Sequence, residues 1–255
     1  MPSKLYIWPQ RMLYFGPLEY LEPHTYGATT LHIGIYGPFY IKFHNTGWLP
    51  CHCAIVPAGV KHELHVTHNT HAKLFIENNS IDYHYLKQRF QFNNFFMRFY
   101  DEETIECFRH IYEGHHNHQH ILSLLNNCLK TSTNNIPILD TRVAKAISLM
   151  HADPEKSFSE NFLANETALS SSRFRHLFNE QMGISYRHYR VWRRLLEAGR
   201  QISQTDNLTA AALDAGFSDL SHFSNHYRNT FGIKPSAVFR GLTEFHSETV
   251  IEPAI

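Results

Sequence analysis

From residue 140 onward, apolar side chains recur at three- and four-residue spacing, the period of helices with one buried face. Asp140 stands where it caps a helix striped by Val143, Ile147 and Met150. Ser159 caps a short helix that buries Phe162, Leu163 and Leu169. Ser170 caps the next, in which Phe174, Leu177 and Phe178 fall at i, i+3 and i+4. A long helix over about 185–204 turns Tyr189, Trp192, Leu195, Leu196 and Ile202 toward a core. Asn207 caps LTAAALDA, Gly216 ends it, and Asp219 caps a last helix with Phe223 and Tyr227 inward. The first eighty residues obey a different rule. TLHIGIYG (30–37), FYIKFH (39–44), HCAIVPA (52–58) and KLFIEN (73–78) are short, aromatic and β-branched, with Gly, Pro and Asn between them. They predict a sandwich or small barrel. Helical spacing returns in Ile105, Phe108 and Tyr112, then in Ile121, Leu124, Leu125 and Leu129, so two helices follow the strands. TSTNNIPIL (131–139) is polar and broken by Pro137, as a linker is.

Part of the helical region is written twice. SSSRFRHLFNEQMGI at 170–184 and DLSHFSNHYRNTFGI at 219–233 align 49 positions apart, which marks a duplicated helix pair. In the first copy Ser172, Arg175, His176 and Asn179 share the face opposite the apolar one; Ser221, Ser224, Asn225 and Arg228 are their counterparts. Arg bridges guanine O6 and N7 with two donors, and Asn does the same at adenine. A short helix, a turn and a second helix with such a face is a helix-turn-helix arrangement. Two of them on a stiff connector define a two-part DNA site, since major-groove faces repeat about every 34 Å.

Composition changes this picture only locally. The formal net charge is zero, but residues 141–241 carry 13 Lys and Arg against 9 Asp and Glu, and 169–200 carry seven against two. That places a basic strip around the first copy. Four cysteines at irregular spacing make no disulfide framework, no run reaches the roughly 20 apolar residues of a membrane helix, and the N-terminus lacks signal-peptide features. The expectation is a reduced, cytoplasmic protein without cofactor.

Residues 140–242 resemble the DNA-binding domain of the AraC/XylS family of bacterial transcription regulators, through LSSSRFRHLFNEQMGISYRHY and LTAAALDAGFSDLSHFSNHYRNTFGIKPSAVFR with its GF…HF…F-G-x-x-P-S pattern. The resemblance implies an all-α domain of seven helices with helix-turn-helix units at 159–182 and 207–231. It further implies transcription activation or repression with RNA polymerase as a partner. By it, Ser172, Arg175 and His176 contact bases in one reader helix, and Ser221, Ser224 and Asn225 in the other. Arg173, Asn179, Arg190, Arg194 and Arg228 are phosphate contacts, with Arg187 and Arg193 as further phosphate candidates; the alternative for each arginine is a solvated helix face. Asn225 stands where the family often has Arg, so the second reader is poor in charge.

The first half resembles the cupin-type sensing domain of many such regulators, through PAGVKHEL (57–64). The whole is therefore α+β: a cupin-like barrel with two helices (1–130) for ligand sensing or dimerisation, the linker, the DNA-binding domain (140–242) and a tail (243–255). Tyr36, Phe43, His62 and Phe75 are the pocket candidates for a small-molecule effector; alternatively they are ordinary core. His62 with His52, Cys51 or Cys53 either ligates a metal or simply packs, and packing is the reading adopted. Cys51 and Cys53 alternate on one strand and share a face. The crowded His110, His115, His116, His118 and His120 form either a solvated loop, the reading adopted, or a metal-binding surface. The apolar faces carrying Ile105, Phe108, Leu124 and Leu125 either meet a second copy, giving a homodimer, or pack on their own barrel. The alternatives to a regulator are a metal-dependent cupin enzyme fused to a helical bundle, and a protein-binding adaptor.

Overall fold

In a computed structural model the described residues are 2–67, 70–93, 95–129, 139–153, 156 and 158–248. Eleven strands among them form two sheets rather than a closed barrel. The larger has β10 (Met97–Phe99), β7 (Cys53–Val56), β4 (Thr29–Gly34), β9 (Thr70–Ile76), β2 (Arg11–Pro17), β1 (Ser3–Ile7) and β11 (Leu242–Ser247), in that order. The smaller has β3 (Tyr20–Thr25), β8 (Lys61–His65), β5 (Phe39–Phe43) and β6 (Leu49–Cys51).

The seven-stranded sheet is a middle layer, and the two-residue period of its strands sorts side chains between two cores. Leu5, Ile7, Met12, Tyr14 and Phe75 face the smaller sheet and the C-terminal helices. Tyr6, Trp8, Leu13, Phe15, Leu74 and Ile76 face the other way, under α1 (Ile81–Phe90), α2 (Glu102–Glu113) and α3 (His118–Leu129). Three helices stand where two were expected. The missed one, α1, buries only Asp82 and Leu86, so it has no apolar stripe to read. Its Asp82 is held by Arg11 instead. Ile105, Phe108 and Leu125 are buried on their own sheet and Leu124 packs at the margin. These faces are covered within the chain and are not free to meet a second copy.

Cys51 and Cys53 do not share a face. The chain crosses from the smaller to the larger sheet at His52, so the two thiols enter different cores. Residues 131–138 of the expected linker, and 249–255 of the expected tail, lie outside the described residues.

The C-terminal part runs α4 (Thr141–Ala152), α5 (Glu160–Glu166), α6 (Ser171–Met182), α7 (Tyr186–Thr205), α8 (Leu208–Asp214), α9 (Leu220–Phe231) and α10 (Pro235–Phe239). Side chains of Asp140, Ser159, Ser170, Asn207 and Asp219 cap α4, α5, α6, α8 and α9, each accepting from a backbone N–H of the first turn. Gly183 and Gly232 end α6 and α9 in the left-handed region that glycine enters without a Cβ penalty. Residues 243–247, expected to be tail, belong with Leu242 to a strand, β11. It returns to the N-terminal sheet and pairs in parallel with β1, Leu5 opposite Phe245 and Ile7 opposite Ser247.

Candidate nucleic-acid interface

The two helix pairs, α5 with α6 and α8 with α9, present the faces that their spacing predicts. On α6, Phe174, Leu177 and Phe178 are buried, while Ser172, Arg173, Arg175, His176 and Asn179 are exposed. On α9, Phe223 and Tyr227 are buried, Ser221, Asn225 and Arg228 are exposed, and Ser224 is half-buried. Arg175 Nε lies 3.1 Å from Glu160 Oε1 of the preceding helix, a contact open to water. Phe162 is more exposed than expected, at 39%, and stacks on Phe158.

The basic residues of α7 divide by partner. Arg187 is exposed. Arg190 donates to the Phe158 carbonyl, and Arg194 donates to the Ala215 carbonyl and lies over the Phe217 ring. Both are half-buried and act first as braces between helices. Arg193 is buried: its guanidinium donates to Glu77 Oε1 at 2.8 Å and to the Pro9 carbonyl at 3.1 Å. It is therefore unavailable to phosphate.

Both reader helices are anchored at their C-terminal ends. Asn78, just beyond β9, donates its amide to the Met182 carbonyl at 2.8 Å. Glu22 on β3 donates its backbone N–H to the Gly232 carbonyl at 3.0 Å. A Cβ on Gly232 would sit 2.7 Å from the Glu22 carbonyl oxygen, so only glycine fits the contact. The Glu22 carboxylate also grips Arg228, accepting from both Nε and Nη2, and this holds the carboxyl below its usual range. Arg228, expected on phosphate, is occupied by the N-terminal sheet. Nothing local in the sequence points to Glu22 or Asn78; their roles arise from partners more than a hundred positions away.

A small pocket, open to solvent on one side, lies between the sheet and these helices. Leu5, Met12 and Phe75 line one side; Leu195 of α7 with Tyr227 and Phe231 of α9 line the other. Of the four residues expected in a ligand pocket, Phe75 lines it. Tyr36 is on the surface, donating to Glu113; Phe43 stacks on Phe96; His62 is inside the sandwich. The one cation on the wall is Lys73, whose amine donates to the Tyr26 hydroxyl at 2.8 Å. Burial holds that ammonium well below its ordinary pKa.

Beside Lys73 the two sheets enclose His24, His32, His62 and His71, all buried. His24 and His62 face each other across β3 and β8, and their Nδ1 atoms meet the carbonyls of Glu22 and Val60. His32 and His71 are joined at 3.1 Å. Burial lowers the pKa of all four, that of His62 to about 4. Among the described residues, no three His, Cys, Asp or Glu side chains are placed to hold a metal ion, and no helix is long and apolar enough to cross a membrane.

Residues 163–241 match a family model described as a helix-turn-helix domain. The chain is 31% identical over 112 residues to the HTH-type transcriptional regulator ExsA of Pseudomonas aeruginosa, covering 40% of each. It is 28% identical over 118 residues to the arabinose operon regulatory protein of Escherichia coli, covering 46% of this chain and 40% of that one. The match thus spans about 40% of the length of these relatives. A substituted apo form of ToxT from Vibrio cholerae superposes over 92% of this chain and 98% of its own, with a TM-score of 0.66 at 13% identity. Wild-type ToxT solved with an unsaturated fatty acid bound gives 0.60 at 12%, covering 92% and 96%. These are likenesses of fold.

Proposed function

Because residues 163–241 form a helix-turn-helix domain of the AraC type, we propose that this protein is a sequence-specific, cytoplasmic DNA-binding transcription regulator controlled by a small apolar acid. The observation that carries the DNA reading is the pair of polar faces at equivalent positions of α6 and α9, each helix tethered at its C-terminal end. Helix-turn-helix proteins read bases with the N-terminal part of the second helix, and that part is the untethered one. Ser172, Arg175 and His176 in α6, and Ser221, Ser224 and Asn225 in α9, are the base-contact assignments. Arg173 and Asn179 contact phosphate. Residues 1–130 sense and residues 140–242 bind.

The pocket supports the choice of ligand. Its walls are apolar apart from Lys73 and the tyrosines Tyr14 and Tyr227, which suits an apolar body with one carboxylate. ToxT, of the same fold, has been solved with an unsaturated fatty acid. An incoming carboxylate restores the charge of Lys73, which burial alone disfavours. Tyr227 and Phe231 lie on both the pocket wall and α9, so occupancy alters the seat of one reader helix. A ligand acts by favouring one of two such seats.

The test is selection of bound sequences from random duplex DNA by the purified full chain, with and without oleate, alongside Lys73→Met. A two-part consensus is expected, with an oleate effect that Lys73→Met removes. Binding no tighter than to random competitor in every arm refutes the DNA reading. A consensus indifferent to oleate in both proteins refutes only the ligand reading.

A further inference from the structure

The sandwich contains one amine whose surroundings are unlike those of the other lysines. Lys73 lies in the middle of β9, opposite Tyr14 of β2 and His32 of β4. It is buried, yet it lines the pocket between the sheet and the helices, which opens to solvent on one side. Lys4, Lys42 and Lys145 each pair with a glutamate. Lys73 Nζ instead donates to the Tyr26 hydroxyl at 2.8 Å. The Tyr26 ring packs against the imidazoles of His24, His32 and His62, and His71 stands two positions before Lys73 on β9. The titratable groups around the amine are therefore imidazoles and phenols. No acidic side chain among the described residues pairs with it.

We propose that Lys73 is a covalent binding site for short apolar aldehydes, captured as an imine inside this pocket. Only a neutral amine has the lone pair that attacks a carbonyl, and desolvation in an apolar pocket is one way a protein keeps a lysine neutral. Burial without a counter-ion does so here, holding the ammonium well below its ordinary pKa. Phe75, Leu195 and Phe231 on the walls receive the hydrocarbon chain. A carboxylate ligand needs the same nitrogen charged, so acid and aldehyde make opposite demands on one group. Capture of an aldehyde requires only the pocket and the amine, whatever the chain does on DNA.

The step balances without oxidant or reductant. The Nζ lone pair attacks the carbonyl carbon, and one electron pair of the C–O double bond moves to oxygen. Tyr26 takes a proton from nitrogen and gives its own to that oxygen, leaving a carbinolamine and an unchanged phenol. Burial raises the pKa of Tyr26, so the phenol holds a proton to lend. The nitrogen lone pair then closes the carbon–nitrogen double bond as the C–O bond breaks, and hydroxide leaves with the second nitrogen proton as water. One amine and one aldehyde have become one imine and one water. Addition of water reverses the sequence.

The full chain is incubated with hexanal and sodium cyanoborohydride at pH 7, then digested and followed by mass spectrometry over time. The reductant converts each imine to a stable secondary amine, so one hexyl group marks every lysine that reacted. Lys73 should be marked at least about tenfold faster than Lys61 and Lys145, which are exposed, because each unit of pKa below theirs is tenfold more free base at neutral pH. That lead should shrink with each pH unit toward pH 9, where exposed lysines gain free base and Lys73 has none to gain. It should vanish in urea. Tyr26→Phe, shown to be folded by circular dichroism, should slow Lys73 about a hundredfold and leave Lys61 at its former rate; an unchanged Lys73 rate there would strike Tyr26 from the step. The proposal is overturned if Lys73 carries no hexyl group, if it reacts no faster than Lys61, or if its lead survives urea. These three results come from the unsubstituted protein, so they stand whether or not the variant folds. Neither DNA nor oleate is present, so failure here leaves DNA binding and acid control untouched, and their failure leaves this result intact.

Discussion

Replacing Glu77 by Gln should loosen the junction between the sheet and α7 far more than any surface substitution. The Glu77 side chain is 1% exposed and that of Arg193 8%. One carboxylate oxygen accepts from Arg193 at 2.8 Å, and the other from the Tyr189 hydroxyl at 3.2 Å. A glutamine keeps the shape and one acceptor oxygen but removes the charge, leaving the Arg193 guanidinium in the interior without its carboxylate partner. Breaking a buried pair from one side costs about 3–5 kcal/mol, mostly the desolvation of the charge left behind. For a chain of this size 1 kcal/mol moves the midpoint by about 2–4 °C, so a loss of roughly 6–20 °C is expected. Scanning calorimetry and urea unfolding followed by tryptophan fluorescence both report it, since Trp192 adjoins Arg193 on α7. Glu63→Gln, which breaks the more exposed pair with Lys42, is the control and should cost under about 1 kcal/mol. The double variant Glu77→Gln, Arg193→Met should recover part of the loss, because no charge is then stranded. If Glu77→Gln is no worse than Glu63→Gln, or the double variant is as unstable as the sum of its parts, the buried pair is not what joins α7 to the sheet.

Three further outcomes are expected. Glu22→Gln frees Arg228 for phosphate, so the ligand-free protein should bind DNA more tightly, with a salt slope steeper by about one unit; an unchanged slope in filter binding would leave Arg228 without a role on DNA. Arg175→Ala should cost about 1–3 kcal/mol at the selected site and relax discrimination at one base pair, whereas equal weakening on all duplexes would make Arg175 a phosphate contact. The buried histidines should make the fold acid-labile. His62 has a folded pKa of about 4 against an ordinary 6.5, so between those values the unfolded chain binds more protons. Its contribution, on the order of 3 kcal/mol, is whole above pH 6.5 and lost as pH falls toward 4. His24, His32 and His71 shift the same way. Urea midpoints that stay flat from pH 7.5 to 4.5 would contradict the neutral, enclosed cluster.

Local pattern was enough for every element whose signal is local. Caps at Asp140, Ser159, Ser170, Asn207 and Asp219 could be read because a capping side chain bonds within its own first turn. The buried and exposed faces of α6 and α9 follow from spacing alone. The sequence is silent where the partner is distant or the pattern is flat. Helix α1 has apolar residues, but only Leu86 among them is fully buried, and they form no stripe. Arg193 and Arg194 carry the same side chain one position apart on α7, yet one lies buried against Glu77 and the other braces Ala215; no spacing separates them. Cys51 and Cys53 obey a two-residue alternation that holds only while a strand stays in one sheet. Tyr36, Phe43 and His62 predict a pocket inside the sheets, but the space lies where Phe75 meets helices more than a hundred residues later.

The pairing of β11 with β1 bears on how this protein can be taken apart. A fragment ending near residue 130 would carry β1 as an open rim, its amides and carbonyls bare, and such rims recruit other chains into aggregates. A fragment starting near residue 140 would keep the helices but leave Leu242–Ser247 with nothing to lie against. Neither piece inherits a finished surface. Cutting the gene at the polar segment that looks most like a hinge should therefore yield two insoluble halves, and co-expressing them should restore solubility by letting the last strand find the first.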